Sequence, residues 1–355
     1  MEEFHLTPIH IDELSQSLHP FQSAPWAYIK QKNGWKGHAF KLTIHSSEQS
    51  INILILTKKL PPIFAFAYIP FAGLLNISET PNVKFIQQLA KKVKEKLHLP
   101  LLFLRYDFPF TFSDEENIIH IKGRHIRECN DSVQPEATNI IDLTSGYEFV
   151  KDHYRQRAKR AMRRSENDEV TIVEYNQKRD LFDQWYKMYS LTAKRDGFAT
   201  RSKEYISSLL HDKNISKHTE LILALYNKKV VGGAITISSD DYVVYLFGAS
   251  MRIQGITPSY LLQDYSIQKA CLDGKKYYDL HGISGPGKRG GNLESLTLFK
   301  QSFGGKRYYR PPSTDYVYIP VIHAIYTFLE DMRYSFYRKS KPTVNKQQYG
   351  ISQDN

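Results

Sequence analysis

In the stretch LTLFKQSFGGK, residues 296–306, one lysine sits among aromatic residues. At helical spacing Leu296, Phe299 and Phe303 share a face, and Lys300 lies on or beside it. Gly304 follows where a helix would end. An ammonium group placed this way has two uses. It can run its stem along the aromatic rings and complement the carbonyl end of the helix. If a cleft opens beside it, it can also stabilise negative charge developing on an oxyanion. Asp107, after the apolar run LLFLRY and before Phe108 and Pro109, suits either a cleft carboxylate or a turn. His281 closes a strand-like segment before Gly282. The following HGISGPGKRGGN carries Lys288 and Arg289 and reads as a flexible loop or as a lid over a site. Its spacing is neither that of a P-loop nor that of a dinucleotide fingerprint. No Ser-His-Asp order and no metal-ligand spacing is present.

Two further stretches bear on the substrate. RQRAKRAMRR presents Arg155, Arg157, Lys159, Arg160, Arg163 and Arg164 around most of a helix. Phosphate contact, as with an RNA, and a solvated basic helix both fit this pattern. RIQGITP tests for coenzyme A, whose pyrophosphate is held by backbone N–H groups of a glycine-rich turn at a helix start. Arg252 and Gly255 fit, but Thr257 occupies the small-residue position and Pro258 has no N–H to give. The turn speaks for a helix start and against CoA as donor.

The chain has 355 residues, 41% of them hydrophobic, and a net charge of +11. It is long enough for two lobes or one large domain. The charge favours nucleic acid, a phosphorylated ligand or an anionic membrane surface. Cys129 and Cys271 form neither a disulfide framework nor a metal site, and MEEFHLTPIH lacks the pattern of a secretory signal, so a cytoplasmic setting is expected. The most apolar run, INILILTKKLPPIFAFAYIP, is broken by Lys58, Lys59, Pro61 and Pro62 and is too interrupted to span a membrane. Contact with a membrane face through MRYSFYRKSKP remains open.

The elements that must position these groups read as mixed α/β. HAFKLTIHS, INILILT and the buried LPLLFLRY read as strands, and NVKFIQQLAKKVKEKLH as an amphipathic helix. The pattern resets near residue 145. A single basic helix, VKDHYRQRAKRAMRRSE, is expected there, followed by strand, helix, three strands, helix and strand. In the final segment Ile322, Ile325, Leu329, Met332 and Phe336 line one face, expected to pack back on the first half.

Together these stretches resemble the FemABX family of peptidyltransferases over nearly the whole chain, most strongly from about residue 145 to 310. LTLFKQSFGG is the most specific match. AKRDGF (193–198), YLFGAS (245–250) and YYDLHGISG (277–285) are similar to further family motifs, with Phe247 in place of a tyrosine and His281 in place of a glycine. Arg155, Lys159 and Ala161 match part of a basic family helix. QSAPWAYIKQKNGW resembles the family's opening, and LRYDFPF its strand end with Phe108 inserted. The family's P-x-G-P turn is degraded here to IPFAGLL.

The resemblance implies two acetyltransferase-like (GNAT) subdomains: residues 1–145 with 318–340, and 146–317, with 341–355 as a disordered tail. It implies the compact type, since no long helical arm is inserted. It implies transfer of an amino acid from aminoacyl-tRNA to the side-chain amine of the diamino acid in a peptidoglycan precursor, either the soluble UDP-MurNAc-pentapeptide or lipid II. The enzyme would act as a monomer, with no cofactor beyond the charged tRNA. Carried over position by position, the catalytic lysine falls on Lys300 and the catalytic-site aspartate on Asp107. Precursor-binding residues fall on Lys30, Arg201 and Tyr205, and Tyr245 is a further pocket residue. Arg155, Lys159, Arg160 and Arg163 are candidates for tRNA contact. Two other readings stand beside this one, a CoA-dependent N-acetyltransferase and a nonenzymatic RNA-binding protein.

Overall fold

The computed structural model describes residues 4–14, 19–44, 50–71, 83–129, 132–166, 170–196, 200–286 and 294–339, the side chains of 165–166 and 333–339 excepted. The first lobe opens with β1 (Phe4–Ile9), α1 (Ala24–Gln31), β2 (Lys36–Ile44), β3 (Ser50–Leu60), β4 (Phe64–Ile69), α2 (Val83–Leu97), β5 (Leu101–Tyr106) and β6 (Ile126–Glu128). Then come β7 (Ala137–Asp142), α3 (Tyr147–Asp152), α4 (Gln156–Glu166), β8 (Thr171–Glu174), α5 (Arg179–Asp196), α6 (Lys203–His211), β9 (Thr219–Tyr226), β10 (Lys229–Ser238) and β11 (Tyr242–Ser250). The chain continues through α7 (Pro258–Leu272), β12 (Tyr277–Asp279), α8 (Glu294–Lys300), β13 (Lys306–Tyr309), β14 (Thr314–Val317) and α9 (Pro320–Lys339).

The strands form two seven-stranded sheets, β1-β2-β3-β4-β5-β14-β6 and β13-β7-β12-β11-β10-β9-β8. Read in opposite directions the two follow one plan. Each has a single parallel pair, β4 with β5 and β11 with β12, spanned by one helix, α2 or α7. Beyond the parallel pair, each sheet receives a strand from elsewhere in the chain. β7 inserts between β12 and β13, and β14 between β5 and β6. The division expected at 145/146 and 317/318 therefore shifts: β7 leaves the first range for the second sheet, and β14 leaves the second range for the first. The range 341–355 lies outside the described residues.

Packing follows the periodicity. Ile86, Leu89, Ala90 and Val93 of α2 are buried against one face of the first sheet, each large side chain contributing about 1.5–3 kcal/mol. The other face shares a core with the second lobe, in which Phe21, Trp26, Tyr68 and Phe103 belong to the same cluster as Trp185, Leu209 and Leu223. The opposite face of the second sheet is covered by α3, α4 and α7.

Three local expectations change. The basic helix is broken at 153–155 into α3 and α4, and Arg155 N there donates to Ser302 O instead of continuing a helix (2.8 Å). α6 separates α5 from β9, its start capped by the Ser202 hydroxyl accepting from Tyr205 N. Most consequentially, α9 packs on the first lobe by a different face. Ile322 does meet the core, but Ile325, Leu329 and Met332 are exposed. His323, Tyr326 and Glu330 turn inward instead. The reason is a buried charge: Arg105 and Asp315 pair on the sheet (2.8 Å), and His323 Nε2 (2.9 Å) and Glu330 (3.5 Å) complete the set. Turning His323 and Glu330 away would leave the buried Arg105–Asp315 charges less well compensated.

Candidate active site at the junction of the lobes

Lys300 is the last residue of α8, whose end is fastened from several directions. Phe303 is fully buried against Tyr154, Tyr260 and Phe299. Gly304, at φ +76°, caps the turn, and its carbonyl accepts from Asn139 Nδ2 of β7 (2.8 Å). The ammonium is buried. Nζ donates to two consecutive carbonyls, those of His281 and Gly282, the second at 2.8 Å. It also faces the Tyr245 ring, 5.8 Å from its centroid.

The two carbonyls converge because His281 and Gly282 both adopt left-handed backbone, φ +50° and +66°. That conformation is ordinary for glycine and costs a side-chain-bearing residue energy. Asp279 helps hold it: Oδ1 accepts from His281 N (2.7 Å) and from the Thr138 hydroxyl. Asp279 is fully buried, and its Oδ2 lies 3.8 Å from His19 Nε2. Burial alone would raise its carboxyl pKa, but His19, His281 and Thr138 outweigh this and hold it low. Burial pushes Lys300 down to about 7, opposed by the charge of Asp279. Burial likewise pushes His281 down to about 4, so that imidazole is neutral at pH 7.

Tyr245 reaches Lys300 through a bulge. Thr236 pairs with Tyr245 and Ile235 with Phe247, leaving Leu246 as the extra residue. In a regular strand Tyr245 and Phe247 would share a face. The bulge sends Tyr245 to the α7 side with Lys300, and Phe247 to the side of Tyr189 and Tyr205. Gly248 makes room, since a Cβ there would stand 1.6 Å from the Tyr245 hydroxyl.

The expected precursor-binding residues also come together. Lys30, in the last turn of α1, lies over Trp26 (4.6 Å) and Trp35 (5.9 Å). Burial, then the charges of Arg201 and Lys58, push it down to about 8. Arg201 stacks on Tyr205 (5.6 Å), which meets Phe247 (6.3 Å). Among the described residues no carboxylate pairs with Lys30, Lys58 or Arg201. Three cations from both lobes thus share a surface suited to an anion. Lys58 escaped the sequence reading, where it only interrupts an apolar run.

One aromatic wall joins the two places. Trp26 stacks on Phe21 (4.1 Å), and Phe21 meets the His281 ring edge-on (5.7 Å), one carbonyl away from Lys300. Asp107 lies behind this wall. It is fully buried, accepting from the Tyr68 hydroxyl (2.6 Å) and from Ser313, with Arg310 Nη1 3.5 Å away. Arg310 is itself sealed, donating to the carbonyls of Gln134, Pro135 and Pro311. Asp107 is thus tied to Arg310 at the lobe junction and is not among the partners of Lys300.

α4 begins beside this site, through the contact of Arg155 N with Ser302 O. Ala158 and Met162 pack inward, and Arg155, Arg160 and Arg163 are exposed. Lys159 is half-buried and donates to Asp152 O (2.8 Å), while Arg157 reaches the Tyr260 hydroxyl (2.9 Å). The cations therefore cover the outer side of α4 and not its whole circumference. In the AKRDGF motif, Arg195 bonds Asp196 and the Ser250 carbonyl, and Asp196 also meets Arg252, a bracing role between α5 and the end of β11. Pro258 occupies the first turn of α7. Lys288 and Arg289 lie outside the described residues, and among those described no cluster could hold a metal ion.

Residues 152–290 match the family model of an acetyltransferase (GNAT) domain, and the second lobe has a GNAT-type fold. No curated protein sequence matches the chain. Among solved structures, FemX is similar with a TM-score of 0.71 at 15% identity, over 91% of this chain and 100% of that one. The putative lysylphosphatidylglycerol synthetase C-terminal domain from Agrobacterium fabrum follows with 0.47 at 12% identity, over 74% and 80%. A tandem GNAT protein of the clavulanic acid pathway gives 0.46 at 8%, over 88% and 98%. The likeness to FemX bears out, at the level of the fold, the resemblance to the FemABX family and its two-lobed architecture.

Proposed function

We propose that the protein is an aminoacyltransferase of cell-wall synthesis. It would move an amino acid from aminoacyl-tRNA to the side-chain amine of the diamino acid in a peptidoglycan precursor's stem peptide. The observation that supports this most is Lys300: a buried ammonium, held by two carbonyls, at one end of an aromatic wall whose other end gathers Lys30, Lys58 and Arg201. In this reading the cationic end, with Tyr205 beside it, holds the precursor's phosphates, and Tyr245 lines the Lys300 end. The neutral amine attacks the ester carbonyl carbon and a C–N bond forms. The carbonyl electron pair moves onto oxygen, where Lys300 stabilises it. The intermediate then expels the ribose oxygen of the tRNA 3′ end, which takes up the proton leaving the amine. The ester is already activated, so the charged tRNA is the only co-reactant needed.

Asp107 enters this reading as the anchor of Arg310, because its oxygens already serve Tyr68 and Ser313. Arg155, Lys159, Arg160 and Arg163 start beside the Lys300 turn and are the proposed contacts for the tRNA phosphates. Pro258 at the start of α7 disfavours a CoA pyrophosphate there.

The test is transfer from a panel of charged tRNAs to soluble and lipid-linked precursors by the purified protein and its Lys300→Met variant. The variant is expected to fold and to lose more than about tenfold in rate. Equal turnover by the variant, or acetylation of an amine with acetyl-CoA as sole donor, would overturn the reading.

A further inference from the structure

Along α9, Val321 (75% exposed), Ile325 (56%), Phe328 (63%), Leu329 (57%) and Met332 (42%) point away from the protein. Their spacing places all five within about 100° of arc along about 17 Å of helix axis. Exposed apolar residues scattered singly are common, but five on one helical stripe mark a contact surface. The helix cannot roll to hide them without pulling His323 and the partly exposed Glu330 away from the buried Arg105–Asp315 pair. Glu330 is turned toward Arg105 and the Tyr326 hydroxyl, and Asp331 lies off the stripe.

The residues after the stripe indicate its partner. Residues 333–355 contain Arg333, Arg338, Lys339, Lys341 and Lys346 against Asp354 alone, and Phe336 continues the spacing of the stripe. An outward apolar stripe running into a basic, aromatic segment is the composition of a helix that lies in a lipid interface. A second copy of the chain is a poorer fit, since each copy carries +11, whereas an anionic surface is attracted by that charge. We propose that α9 lies in the surface of an anionic bilayer. Val321, Ile325, Phe328, Leu329 and Met332 would enter the headgroup–acyl boundary, and the chain's net positive charge would favour the anionic surface.

The experiment is cosedimentation of the full chain with vesicles of phosphatidylcholine alone or mixed with phosphatidylglycerol. Binding is expected to the mixed vesicles, weaker to the neutral ones, and falling with added salt. The Ile325→Ser/Phe328→Ser/Leu329→Ser variant replaces exposed side chains only. It should keep its Tm and lose at least about tenfold in partitioning. Absence of wild-type binding, or equal binding by the variant, overturns the proposal. So does a dimer that the variant dissociates while neither protein binds vesicles, which would assign the stripe to a second copy. Vesicle binding that emerges only on removing residues 340–355 overturns it too, by assigning the stripe to the chain's own end. The readout needs no transfer activity, so its failure would leave the proposed function standing.

Discussion

Burial costs Lys300 much of its basicity, because its ammonium exchanges water for two carbonyls and the Tyr245 ring. Asp279 works against that loss twice, through its charge and through the bond to His281 N that keeps both carbonyls aimed at Nζ. The remaining shift has a measurable consequence. Below about pH 7 the lysine is protonated in folded and unfolded chains alike, and its burial penalty is fully present. Between about 7 and its ordinary 10.5 the unfolded chain binds a proton that the folded chain does not, so stability gains as pH rises. Lys300→Met removes this titration. Wild-type stability minus that of the variant should therefore be flat below pH 7 and climb above it, by up to about 1.4 kcal/mol per pH unit. Paired chemical denaturation curves from pH 6 to about 10 would measure it, and a difference independent of pH would mean that Lys300 titrates as an exposed lysine does. Subtracting the variant also cancels Lys30, whose lowered pKa acts with the same sign.

A strand decides which of two neighbouring aromatics meets that lysine. The extra residue Leu246 separates the faces of Tyr245 and Phe247, and Gly248 admits the Tyr245 hydroxyl where a methyl group would collide. Gly248→Ala should cost about 1–3 kcal/mol by displacing that ring and little in a Tyr245→Ala background, a coupling that a double-mutant cycle reads directly. The same cost in both backgrounds would place the need for glycine in the backbone. Here the limits of the sequence are also plain. Lys300, Lys30, Arg201 and Tyr205 could be nominated from the sequence because they sit in local patterns that resemble family motifs. The bulge was not, since alternation in YLFGAS does not say where pairing slips. α9 shows why periodicity reveals a stripe without revealing its neighbour: Ile325, Leu329 and Met332 read as core, yet the buried Arg105–Asp315 pair claimed the other face. Asp279 and Arg310 escaped as site-positioning groups because their partners, Thr138, His19 and Asp107, are far away in the chain. β13 and β14, four residues each, carry too little pattern to read as strands at all.

At the scale of the molecule β14 and β7 show how the lobes are joined. Each lobe is completed by a strand from outside its own contiguous stretch: β14 returns from beyond the second lobe to enter the first sheet, and β7 leaves the first stretch to enter the second. The division expected near 145 and 317 cuts the second sheet at an interior position. Without β7, β13 loses the strand it pairs with and β12 becomes an edge. The buried Thr138–Asp279 and Asn139–Gly304 bonds that steady the Lys300 turn disappear with it. A fragment of residues 146–317 should therefore lack a cooperative thermal transition. A fragment of residues 132–313 retains all seven strands of the second sheet, together with the Gln134 and Pro135 carbonyls that hold Arg310, and should melt cooperatively. Circular dichroism melts of the two distinguish the cases. Cooperative folding of the 146–317 fragment would mean that β7 is dispensable to the second lobe. Failure of both would mean that the core shared through Phe21, Trp26 and Trp185 is needed before either sheet is stable.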